Sequence, residues 1–371
     1  MKDFAAALLS RARSNAEARG EPAVSFFEFW PGWLFYAPIV AQWVALGLRY
    51  GDFSLPTAAN PRIVAGGLCG ETKSSTLDQV APAARHWLAP YACIETAADP
   101  AGDLPAAERA LAAASLEYPL VAKPDIGCNG TGVRLIADKT ELARYLREFP
   151  RRAPLMLQTY VPHEGEAGLF YIRHPGEARG RITSVTLKSS PVVVGDGRST
   201  LRELILADPR TGRVPPHLFL PRLASRLDEV PPSGETLRLV FVGNHCKGST
   251  FRDGREHVTE ELTERIDAIA QAIPDFHFGR FDVRFRSLAE LRRGSAFTII
   301  EINGVGSEAT HIWDPRTRLT DAYASQFAHY RAAFEIGRQM RAAGHRPSGI
   351  FATFRLWRLQ QRLMAAYPMH D

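Results

Sequence analysis

The sequence predicts an α+β chain, preceded by a segment rich in aromatic and apolar residues. Three observations predict it. Residues 280–285 and 297–303 are short, apolar and β-branched, as buried strands are. Residues 119–136 read as strand, glycine loop, strand. Between these runs lie helical stripes such as Val258, Leu262, Ile266, Ile269 and Ile273.

In chain order, residues 3–19 predict a polar helix. Residues 29–48 hold twenty positions without a charge, bracketed by Glu28 and Arg49. That length suffices to span a bilayer, but Pro31, Gly32 and Pro38 break its first half, leaving 39–48 as uninterrupted helix. Trp30, Trp33, Tyr36 and Trp43 are of the types that gather at membrane interfaces. The run starts late and no small-residue cleavage site follows, which argues against a secretory signal. The expectation is a segment lying in the membrane interface; a buried helix and a contact in a homodimer stay open. Residues 56–61 read as an extended or turn segment. Helices are expected over 76–88, 104–116, 140–149 (with Thr140 as cap) and 258–273. Pro215-Pro216 and Pro231-Pro232 mark loops, and Tyr323, Phe327, Tyr330 and Phe334 form an apolar helical stripe read as core.

Residues 350–364 predict a basic amphipathic helix, with Arg355, Arg358 and Arg362 on one face and Phe354, Leu356, Trp357, Leu363 and Met364 over the other. Such a helix suits either an anionic membrane surface or docking on the core. The net charge of +5 equals the excess of six arginines over one acid in residues 338–371. The rest is balanced, which argues against a nucleic-acid-coating protein. At 371 residues, 45% hydrophobic and 23% charged, the chain has room for two or three globular domains. The expected divisions are 1–55, 56–107, 108–162, 163–340 and 341–371. Cys69, Cys93, Cys128 and Cys246 show no metal or disulfide spacing and read as reduced thiols. Cys128 is either oxidation-sensitive or a small filler.

Two patterns carry chemistry. On a strand, alternate side chains share a face, so Glu301 and Asn303 point the same way and Asp282 can join them from a neighbouring strand. Two carboxylates and an amide oxygen suit Mg²⁺; solvent-facing polar residues on an edge strand are the plainer alternative. Upstream, an apolar strand ends in Lys123 and a loop with Gly127, Gly130 and Gly132 follows. Glycines let a backbone present its N–H groups to phosphate, and lysine adds a point charge. The loop opens into a second strand, unlike a Rossmann or Walker loop.

Over roughly residues 70–315 this order resembles the ATP-grasp superfamily, especially its carboxylate–amine ligases: D-alanine–D-alanine ligase, glutathione synthetase and the cyanophycin synthetase type. The resemblance implies two α+β lobes clasping ATP. It implies phosphate contacts for Lys73, Lys123 and Lys188, with Gly127, Gly130 and Gly132 as a flap. It places an adenine hinge at Gln158, Tyr160 and Val161, where the family usually has glutamate at the position of Gln158. Glu166 would bind ribose, and residues 194–205 match a turn-plus-helix of the cyanophycin-synthetase-like members. Arg280 and Lys188 would be catalytic, stabilising the transferring phosphoryl group. Asp282, Glu301 and Asn303 would hold two Mg²⁺ ions, or Mn²⁺ in their place.

The implied reaction is Mg-dependent: ATP activates a carboxylate as an acyl phosphate, and an amine displaces phosphate. Two alternatives stand beside it: a kinase-like phosphotransferase, and a membrane-peripheral ATP-binding protein without turnover. Asp282→Ala or Glu301→Ala is expected to abolish turnover while the fold survives. Departures after Asn303 argue against simple D-alanine ligation, and Glu308, Thr310 and His311 are expected to line the acceptor pocket, loop capping being the alternative. Partners are small carboxylates and amines, with the inner membrane surface open for the aromatic segment and no nucleic acid. The expected location is cytoplasmic, at most peripheral on the inner membrane face.

Overall fold

The computed structural model describes residues 22–214 and 220–368, apart from the side chain of Cys246. The helix expected over 3–19 and the Pro215-Pro216 loop lie outside the described residues.

The strands are β1 (Tyr91–Glu95), β2 (Leu120–Pro124), β3 (Arg134–Ile136), β4 (Pro154–Thr159), β5 (Gly165–Ile172), β6 (Arg181–Ser189), β7 (Val192–Val194), β8 (Thr236–Arg238), β9 (Thr250–Asp253), β10 (Phe278–Phe285) and β11 (Phe297–Asn303). The helices are α1 (Gly32–Tyr50), α2 (Lys73–Leu77), α3 (Asp103–Ala113), α4 (Lys139–Glu148), α5 (Leu201–Ala207), α6 (Pro221–Ala224), α7 (Glu260–Gln271), α8 (Leu288–Arg292), α9 (Leu319–Ala342) and α10 (Ile350–Ala366).

Two antiparallel sheets organise the chain. The first has the order β1-β4-β2-β3 and the second β11-β10-β5-β6-β9. One face of the first packs on α3 and α4 through Leu120, Leu142, Tyr145 and Leu157. The second sheet buries Leu169, Val185, Phe281, Val283 and Ile302 against Leu262, Ile266 and Ile269 of α7. Apolar side chains every second residue thus fill one face; the other face is apolar at one end, where Phe170, Ile172 and Phe278 pack with Ala333 and Ile336 of α9, and polar at the opposite end. The sheets meet where Ala89 N–H donates to Ile299 O (2.9 Å).

The aromatic segment is a docked helix. Phe35, Ile39 and Leu46 of α1 are buried, and Phe35 stacks on Tyr323 while Trp43 meets Phe334 edge-on. The 323–334 stripe is therefore core, as expected. The predicted interruption at Pro38 does not occur: Pro38 lies inside α1. One missing donor, worth up to about 3 kcal/mol, is outweighed by the aromatic packing on α9. The outer face of α1, with Trp33, Val40, Val44 and Leu48, is exposed. Among the described residues no helix is long and apolar enough to cross a membrane.

Three helices differ from expectation. Residues 76–88 form a short α2 and a 3₁₀ turn, Pro82–Trp87, because Pro82 ends the pattern. The cap of α4 is Asp138, whose side chain accepts from Glu141 N, so Thr140 is already helical. On α10, Leu356, Leu363 and Met364 face the protein, whereas Phe354 and Trp357 are exposed alongside the arginines.

Candidate active site

The polar end of the second sheet's other face builds the site. In the β10–β11 ladder Asp282 lies opposite Glu301 and Arg280 opposite Asn303. Residues opposite in a ladder share a face, as do residues two apart, so all four point into one cleft, and they line it together. The register shifts after Asp282. This bulge leaves Ile300 without a cross-strand partner, and its carbonyl accepts from Lys123 Nζ (2.9 Å). On β5, Gly168 lies opposite Asp282. A Cβ there would sit 3.0 Å from Arg280 Cδ and 3.2 Å from Asp282 Oδ1, so glycine makes room for both side chains.

Asp282 is the electrostatic centre. It accepts from Lys188 Nζ (2.7 Å), from Arg280 Nη2 (2.9 Å) and Nε, and from Asn303 Nδ2 (3.1 Å). Burial alone would raise its carboxyl, but Arg280 and Lys188 outweigh burial and hold it at about 2. Lys188 also reaches Glu166 (3.4 Å), which pairs with Arg284 (3.0 Å). Glu301, opposite, is partly exposed, with Lys73 Nζ at 3.8 Å.

Lys123 is buried at the end of β2 and is pulled down to about 8, chiefly by burial, with Glu301 opposing. It donates to Gln158 Oε1 (2.8 Å). Gln158 is buried, and its amide donates to Ala89 O (3.2 Å). Its backbone lies within ladders to β1 and β2. Gln158 lines the cleft and its side chain orients Lys123. Tyr160 and Val161, just beyond β4, do line the cleft.

The glycine loop covers these cations. Gly127 and Gly130 line the cleft; Gly132 sits behind, its carbonyl accepting from Tyr145 OH (2.7 Å). Gly130 and Gly132 have φ of 65° and 73°, where a side chain would be strained. Lys73, first residue of α2, donates to Gly127 O (2.7 Å), and Lys247 donates to Gly130 O (2.9 Å). The flap thus touches the 241–247 loop of the other lobe. Sequence reading missed that loop, because it has neither periodicity nor a motif. Cys128 Sγ lies 3.5 Å from Met364 Sδ of α10. Cys69, Cys93 and Cys128 are free thiols.

The cleft is about 690 Å³, within the usual range for small-molecule sites of roughly 300–1,000 Å³. Its far end is aromatic, with Trp30, Phe35, Tyr36, Trp313 and Tyr330. Glu308 and Thr310 line it too. His311 does not: it is buried behind the wall, its Nδ1 2.7 Å from Ser184 Oγ. The aromatic contribution of residues 30–36 was not legible as a cleft wall, since apolar side chains look alike whether they face lipid, core or substrate.

Asp282, Glu301 and Asn303 fit a magnesium ion as a donor set. Two carboxylates and an amide are hard oxygen ligands on one face. Glu301 is the carboxylate with room for a cation, and Asn303 turns its amide nitrogen to Asp282, leaving its oxygen as an acceptor. No group of three or more His, Cys, Asp or Glu that could hold a metal occurs among the described residues, so such a site depends on the amide.

No protein-family model matches the sequence, and no curated protein matches it. Solved structures do show likeness. A bifunctional glutathione synthetase from Pasteurella multocida is 17% identical with a TM-score of 0.37, over 69% of this chain and 36% of that one. A D-alanine:D-serine ligase from Enterococcus faecalis is 13% identical, TM-score 0.42, over 73% and 64%. A D-alanine–D-alanine ligase from Coxiella burnetii is 12% identical, TM-score 0.41, over 81% and 64%. The chain therefore spans about a third of the first and just under two thirds of the other two. At these scores the likenesses carry no weight about chemistry.

Proposed function

We propose that the chain is an ATP-dependent ligase that activates a carboxylate as an acyl phosphate and couples it to an amine. One observation supports this above the rest: Lys123, Lys188 and Arg280 face Asp282, Glu301 and Asn303 in one cleft beneath a glycine flap. Phosphoryl transfer asks for positioned charge and exclusion of water more than for a covalent nucleophile. Lys123, held by Gln158 and the Ile300 carbonyl, meets the phosphates as a fixed cation. Arg280, braced by Asp282, stabilises negative charge as the γ-phosphoryl moves to the carboxylate oxygen. Lys73 ties the flap to α2, so the flap shields the acyl phosphate from water. Magnesium, when bound by Glu301, Asn303 and Asp282, supplies neutralisation of phosphate charge.

The test is release of ADP and phosphate over pools of amino acids, fatty acids and amines. A ligase releases phosphate only when acid and amine are both present; a phosphotransferase makes ADP without phosphate. Glu301→Ala is expected to reduce turnover at least a thousandfold while the melting temperature holds. An active variant contradicts the assignment.

We also propose a peripheral contact with anionic lipid. The outer face of α10 sets Arg355, Arg358 and Arg362 among exposed Phe351, Phe354 and Trp357. Arginine next to interfacial aromatics complements an anionic headgroup layer.

A further inference from the structure

We infer that the aromatic end of the cleft binds an organic cation, the ammonium group of an acceptor amine that carries an apolar or flat body, with Glu308 as its counter-ion. This rests on the ligase reading for its place in a reaction, but not for the binding itself.

Glu308 differs from the other acids that line the cleft. Glu28 pairs with Arg210, Glu166 with Lys188 and Arg284, and Asp282 with Arg280 and Lys188. Glu301 has Lys73 within 3.8 Å. Glu308 has no ion pair among the described residues. Its carboxylate accepts from three neutral donors instead: Tyr36 OH (3.0 Å), Trp313 Nε1 (2.7 Å) and Gln326 Nε2. Arg280 approaches the residue but donates to its main-chain oxygen (3.0 Å), its other nitrogens being held at Asp282. Neutral donors fix the carboxyl group; burial raises its pKa, and Trp313, Tyr36, Gln326 and the nearby Arg280 charge lower it. A charge withdrawn from water and left without a counter-ion is costly. A cationic ligand completes it.

The surroundings favour the same guest. Trp30, Phe35, Tyr36, Trp313, Tyr330 and His245 line this end of the cleft. Phe35 and Trp313 rings lie 4.7 Å apart and His245 stacks on Trp313 at 4.6 Å. Aromatic faces attract ammonium groups and cover apolar carbon. Burial depresses His245 to about 4, so its ring is uncharged at neutral pH and does not repel a cation. The lysine- and arginine-rich end of the same cleft suits phosphates, so the two ends separate guests by charge. The wall is supplied by α1 and the residues before it, which gives the N-terminal segment a role in selecting substrate.

The test uses the full chain with a non-hydrolysable ATP analogue and magnesium, and two probes of equal shape, phenethylamine and 2-phenylethanol. Calorimetry reads affinity, and quenching of Trp30 and Trp313 fluorescence reports location. The wild type is expected to bind the amine at least tenfold more tightly than the alcohol. Glu308→Gln, close in shape, is expected to bring the two within about twofold, with a thermal melt separating lost binding from lost fold. Equal binding by the wild type, no binding of either probe, or an amine preference that survives in a folded Glu308→Gln overturns the inference. Amine preference in a protein that turns over no ATP in any pool supports this inference while removing the ligase reading.

Discussion

Asp282 shows why neighbouring acids are not equivalent tests. It is the shared counter-ion of two cations with little exposure to water. Removing one partner of such a network typically costs 3–5 kcal/mol, because the partners left behind stay charged. The expectation that Asp282→Ala spares the fold is therefore revised: denaturant melts are expected to show a loss of about that size, whereas Glu301→Ala, with a partly exposed carboxylate, stays within about 1 kcal/mol. Equal midpoints for the two variants would show that the Asp282 network adds nothing. His245 gives a pH signature. Its folded value near 4 lies below the ordinary 6.5, so the unfolded chain binds more protons between those values. Its contribution to stability is present above about pH 6.5 and is lost as pH falls toward 4. His245→Phe, which keeps a ring against Trp313, is expected to lose less stability than the wild type between pH 7 and pH 5 in denaturant titrations.

Among the elements, the glycine flap is held from both sides, by Lys73 at Gly127 and Lys247 at Gly130. Gly132→Ala combines a φ of 73° with a Cβ 2.8 Å from Pro124 Cγ. It is expected to cost about 1–3 kcal/mol and to raise the KM for ATP; an unchanged KM would mean the flap does not cover nucleotide. Elements with a two-residue period were legible, since alternation puts Glu301 and Asn303 on one face of β11, where Asp282 of β10 can join them. Register was not, and it is the bulge at Ile300 that gives Lys123 its second anchor. The cap of α4 was readable from Glu141 lying three residues after Asp138, a pattern stronger than Thr140 alone. The break at Pro82 was also written in the chain. The continuation through Pro38 was not, because only α9 explains it.

For the molecule as a whole, the proposed lipid contact rests on its exposed aromatic and arginine side chains. Vesicles with anionic lipid are expected to sediment the protein at low salt and release much of it at high salt, with weaker capture for a triple Arg355→Ala, Arg358→Ala, Arg362→Ala variant. Equal capture by neutral vesicles, or none, would remove the lipid proposal. The strands and helices of the two sheets were legible in local patterns, and two lobes were what the family resemblance implied. The way the chain's outer segments complete the cleft was not legible, because those contacts join residues nearly 300 positions apart, as Tyr36 to Glu308 does.

Near its other end the chain makes a comparable closure. Tyr367 stacks on Phe149 and donates to Ile126 O (2.7 Å), and Gln360 accepts from Gly70 N (2.7 Å). During synthesis a nascent polypeptide would hold its central sheets long before these brackets are made. A polypeptide released before Tyr367 would lack the tie at Ile126, the residue that leads into the glycine loop.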